Sequence, residues 1–133
     1  MNVNYIEHIG IAVKDIQNGI EKFELLLGKK CYLIEDIEDQ KVRTAFFQVG
    51  ETKIELLESL DEDGPIAKFI AKNGEGIHHI AFAVPDTNDS LLLAKKNGFR
   101  TIDNISRKGA ENLNIGFLNP KSTLNALIEF CSK

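Results

Sequence analysis

Two histidines and two glutamates recur at matching places in this chain. The stretch Ile6-Glu7-His8-Ile9-Gly10-Ile11-Ala12-Val13-Lys14-Asp15 returns as Ile77-His78-His79-Ile80-Ala81-Phe82-Ala83-Val84-Pro85-Asp86. At one offset, Ile6, His8, Ile9, Ala12, Val13 and Asp15 each meet an identical residue. A second repeat pairs Lys53-Ile54-Glu55-Leu56-Leu57-Glu58 with Leu127-Ile128-Glu129-Phe130-Cys131-Ser132, so Glu55 answers Glu129. Two neutral imidazoles and two carboxylates suit one borderline divalent ion such as Co, Ni, Mn, Fe or Zn. An all-oxygen set would favour Mg or Ca, and a thiolate-rich set structural Zn. The carboxylates offset the charge of the ion. Four protein ligands on an octahedral ion leave two positions for water or substrate, as catalysis requires. A single histidine on a strand is usually structural; the duplication of all four positions is what carries the metal hypothesis.

The elements that must hold these residues follow from periodicity. Residues 5–13 alternate as a strand, with Glu7, Ile9, Ile11 and Val13 on one bulky face and Ile6, His8, Gly10 and Ala12 on the other. His8 therefore sits among small residues, beside room for a ligand. Asp15 caps a helix through Ile16, Ile20, Phe23 and Leu27, which Gly28 stops. Strands are expected over 31–35, 42–49 and 52–58, with a tight hairpin at Gly50-Glu51. Glu55 shares a side with His8. Pro65 opens a short helix that joins the halves.

The second half repeats this order. His79 shares a face with Ala81 and Ala83, while His78 has the opposite parity and is expected to be structural or to support the ligands from behind. Asp86 caps a helix that runs to Gly98. A strand is expected over 99–102, a polar loop over 104–112, and strands over 113–118 and 125–131 that direct Glu129 to the small-residue side. The expected fold is α+β, a single domain over 1–133. It comprises two βαβββ modules (4–60 and 76–133) joined by a helix (61–75), forming a half-open barrel around a metal site.

Composition narrows the function class. A 133-residue chain that is 43% hydrophobic is expected to form one globular domain. The net charge of −4 offers no basic face for nucleic acid. No apolar run reaches the length of a membrane span, and no signal-peptide pattern opens the chain, so a cytoplasmic protein is expected. Cys31 and Cys131 form no framework and are expected to be free thiols.

The paired halves and the His, Glu, His, Glu order resemble the vicinal oxygen chelate superfamily. Within it, five stretches resemble the methylmalonyl-CoA epimerases: residues 8–13, 50–58, 65–69, 74–82 and 117–123. The most specific are Pro65-Ile66-Ala67-Lys68-Phe69 and the segment through His78-His79. This resemblance implies metal ligands at His8, Glu55, His79 and Glu129, although some epimerases carry a glutamine at the Glu55 position. The implied reaction interconverts (R)- and (S)-methylmalonyl-CoA by proton abstraction at C2 through a metal-stabilised enolate. Inversion needs a base on each face of C2. Well-described epimerases supply the second base as a glutamate that aligns with Thr44, and threonine cannot serve, so Glu129 and Glu55 become the candidate bases. Asn119 and Leu124-Asn125 also depart from the family, which usually has histidine and glycine there. An acyl-CoA substrate points to Arg107, Lys108, Lys121 and Ser122 as contacts, and the superfamily to a homodimer. Two alternatives stand beside this: a glyoxalase I-type lactoylglutathione lyase acting on a thiol hemithioacetal, and a non-catalytic binding or resistance protein on the same scaffold.

Overall fold

The computed structural model describes residues 2–133. Strands β1 (Tyr5–Ala12), β2 (Leu33–Ile37), β3 (Val42–Val49), β4 (Thr52–Ser59), β5 (Gly76–Ala83), β6 (Arg107–Lys108), β7 (Asn114–Leu118) and β8 (Ile128–Ser132) form one mixed sheet. Its order is β2-β3-β4-β1-β5-β8-β7-β6. The helices are α1 (Ile16–Leu27), α2 (Pro65–Asn73) and α3 (Thr87–Lys96). By contacts the chain divides into two compact units, residues 9–78 and residues 79–133 with the N-terminal segment through His8. The division cuts β1 just after His8 and β5 just before His79.

The 9–78 unit is built on a long antiparallel ladder. Val42–Val49 pairs with Thr52–Ser59 without a break, and Leu33–Ile37 adds to its outer side. Gly50, at φ 62°, takes the left-handed conformation that the hairpin needs. The Asp15 carboxylate accepts from Asn18 N–H at 3.2 Å and starts α1; Gly28, at φ 64°, closes it on Glu24 O. Between helix and sheet lie Val13, Ile16, Ile20, Ala45, Phe47 and Leu56. Fully burying a side chain such as Phe47 or Leu56 contributes roughly 1.5–3 kcal/mol. Thr44 is also fully buried, and its hydroxyl donates to Glu35 O at 3.2 Å.

The second unit has shorter strands and more side-chain bracing. The Asp86 carboxylate accepts from Asp89 N–H at 2.9 Å and starts α3. Val84, Leu91, Ala94, Leu118 and Phe130 form the core beneath it. β8 runs parallel to β5 and antiparallel to β7.

Two strand expectations need correction here. Residues 99–102 form no strand, only one bridge from Thr101 to Leu118. The corresponding strand is Arg107–Lys108, inside the segment expected to be a loop. Asp103 explains the displacement: its carboxylate accepts from Phe117 N–H at 2.8 Å and from Arg107 Nε at 3.2 Å, which bends the chain away from β7 before pairing resumes. Likewise β8 starts at Ile128 rather than at 125, because Leu124 and Asn125 take left-handed angles, φ 59° and 69°.

Candidate metal centre

Three of the four duplicated polar residues meet within the second unit. On β5 and β8, Ala81 pairs with Glu129, so His79, two residues before Ala81, shares the face of Glu129. Phe117 on β7 pairs with Glu129 from the other side. At the start of β1, Asn4 N–H donates to Ala83 O at 2.8 Å, tying the strand that carries His8 to the end of β5.

His8 Nε2 lies 3.0 Å from His79 Nε2, with the rings edge to face. One Glu129 oxygen lies 3.3 Å from His79 Nε2 and the other 3.6 Å from His8 Nε2. One ligand atom from each side chain falls within 4.8 Å of the other two, and all three residues are buried. Burial alone would raise the Glu129 carboxyl. The charge of His8 and hydrogen bonds from His79 and His8 outweigh it and hold the group well below the usual carboxylate range. Glu129 is therefore an ionised carboxylate between two imidazole nitrogens. Such a mixed nitrogen and oxygen set fits a borderline divalent cation.

A further residue completes the cluster and was missed by strand alternation. Glu7 Oε1 lies 2.8 Å from His8 Nδ1, and Glu7 is itself buried. Its parity assigned it to the helix-facing side, but a three-bond side chain reaches the ring of its neighbour. The signal in the sequence was the acidic residue directly before His8. Cys131 Sγ lies within 4.8 Å of the Glu7 and His8 ligand atoms, although its thiol is directed to Phe82 O at 3.6 Å.

The remaining candidates are placed as follows. Glu55 is buried on β4 of the 9–78 unit, cross-strand from Phe46. The Arg107 guanidinium lies 5.7 Å from the centroid of Phe117, whose ring meets His79 edge-on at 5.6 Å. Asp103 holds the Arg107 head. Lys121 is exposed in the turn 120–122. The Ser122 hydroxyl accepts from Arg100 N–H at 3.0 Å and donates to Asn119 O at 2.9 Å, so it braces backbone. Lys108 Nζ donates to Asn112 O at 3.3 Å. His78 lies against Phe69, edge to face at 4.9 Å.

Residues 7–117 match the glyoxalase/bleomycin resistance protein/dioxygenase superfamily. The chain belongs to this superfamily. Its members include close relatives of known activity. The ethylmalonyl-CoA/methylmalonyl-CoA epimerase of Cereibacter sphaeroides is 34% identical over 96% of both chains. The Bacillus subtilis protein YqjC is 39% identical over 97% of this chain and 92% of its own. Among solved structures, Streptomyces coelicolor methylmalonyl-CoA epimerase in complex with 2-nitronate-propionyl-CoA superimposes with a TM-score of 0.95 at 33% identity, covering 99% of this chain and 96% of the other. The eight-stranded mixed sheet with three helices is thus the vicinal oxygen chelate fold that the duplicated sequence led us to expect. No helix among the described residues is long and apolar enough to cross a membrane.

Proposed function

We propose that the chain is a methylmalonyl-CoA epimerase that inverts C2 of the acyl group by moving a proton. The observation that carries this reading is the buried His8–His79–Glu129 cluster in a chain that aligns along nearly its full length with epimerases. His8, His79 and Glu129 would hold one divalent cation, its identity among Co, Ni, Mn and Zn left open by the donor set. When bound, that cation supplies Lewis acidity toward a thioester carbonyl.

The chain's own groups perform the rest. Glu129 is assigned as one base that takes or returns the C2 proton, a role a positioned carboxylate can fill. Glu55, its counterpart in the repeat, is assigned the roles of fourth ligand and second base on the sequence relation alone. Thr44 takes no part in proton transfer, since its hydroxyl is directed to Glu35 O. Phe117 walls the cluster beside His79 and keeps water from that side of the imidazole. Arg107, stacked beyond Phe117, is assigned to the anionic part of an acyl-CoA, with Lys121 and Ser122 as further contacts. A cytoplasmic homodimer completes the reading.

The test is hydrogen exchange. Metal-loaded protein in deuterated water should remove the C2 proton signal of methylmalonyl-CoA, followed by NMR, while His79→Ala should lose both stoichiometric metal and exchange. Exchange no faster than in the metal-free control would overturn the epimerase reading. Turnover of a methylglyoxal hemithioacetal in its place would move the chain to the lyases.

A further inference from the structure

We infer that Glu7 is a positioning residue that fixes the His8 ring for cation binding, an inference that rests on the cation site proposed above. The Glu7 carboxylate and His8 Nδ1 are 2.8 Å apart, the length of a charge-assisted hydrogen bond. A carboxylate oxygen facing Nδ1 accepts its hydrogen, which makes Nε2 the nitrogen that gives up its proton and presents a lone pair to a cation. Nε2 is the atom that faces His79 and Glu129.

Burial points the same way. A carboxylate withdrawn from water is destabilising unless it is well paired. Strand alternation offers Glu7 the face opposite His8, yet the side chain turns back to its neighbour's ring. A histidine ligand whose second nitrogen is held by a carboxylate is fixed in both tautomer and orientation, and its basicity rises. His8 is held in this way by an acid, and His79 packs edge-on against the Phe117 ring.

The test uses the full chain, histidine-labelled with nitrogen-15, as wild type, Glu7→Ala and Glu7→Gln. Long-range proton–nitrogen correlation on cation-free protein, at a pH where the His8 ring is neutral, reads its tautomer. Wild type should show hydrogen on Nδ1; Glu7→Ala should shift it toward Nε2; Glu7→Gln, whose amide oxygen still accepts, should restore the wild-type pattern. Chelator competition with Co(II) should show Glu7→Ala weakened roughly 10–100-fold and Glu7→Gln much less. An unchanged tautomer and an unchanged Co(II) affinity in Glu7→Ala would overturn the proposal, even if that variant melts at a lower temperature. A wild type that takes up no Co(II) would overturn the cation site and this role with it.

Discussion

The two halves of the chain each run strand, helix and three further strands, and they are held together differently. In the first, β3 and β4 are eight residues each and joined by a tight turn at Gly50. In the second, β7 and β8 are five residues each and joined by a connection that includes the turn 120–122. The first is held by backbone ladder and by apolar side chains such as Phe47 and Leu56. The second is held largely by side chains that bond to backbone: Asp103 to Phe117, Asn119 to Lys121, Ser122 to Arg100, Thr87 to Asn114. The second unit also concentrates buried polar groups, Glu7, His8, His79 and Glu129. Shortened strands cost ladder hydrogen bonds, and in exchange the loops carry polar side chains near the chemistry.

This contrast yields three graded expectations. Phe47→Ala removes a fully buried ring from the first module and should cost about 3–5 kcal/mol in urea unfolding. A loss below about 1 kcal/mol would refute the apolar account of that module. Asp103→Ala should cost less, about 1–3 kcal/mol, by stranding Phe117 N–H and releasing Arg107. Faster amide exchange confined to β6 and β7 would mark the cause; a neutral change would mean that the loop is held by something else. Leu124→Gly should be the smallest and of opposite sign. Leu124 is 99% exposed, so no packing is lost, and its φ of 59° is a strain that glycine lacks. Relief of that strain exceeds the added freedom of the unfolded chain, giving a gain of roughly 0.5–1 kcal/mol. Any loss of stability would show that the turn is not strained.

Much of the site was legible because strand parity is a strict code. With a period of two, His79 and Glu129 had to share a face once their strands were paired, and the repeat identified His8 as the equivalent of His79. Glu7 was not legible, since parity speaks for Cα–Cβ directions and not for where a long side chain finally rests. β6 was hidden for another reason. Arg107-Lys108 has no strand pattern of its own, and it pairs with β7 because Asp103 turns the chain there. Residues 99–102, with Phe99 and Ile102, looked more strand-like and make only a bridge. The left-handed pair Leu124-Asn125 was foreshadowed only by its departure from a glycine.

The cut through β1 bears on synthesis. His8 is synthesised before its partner His79, which lies 71 positions later, and before Glu129, which lies later still. At translation rates of about 5–20 residues per second, the first histidine waits on the order of ten seconds for the last member of the cluster. The 9–78 unit can gather its own core in that interval. Assembly of the His8–His79–Glu129 cluster therefore belongs to the last stage of synthesis.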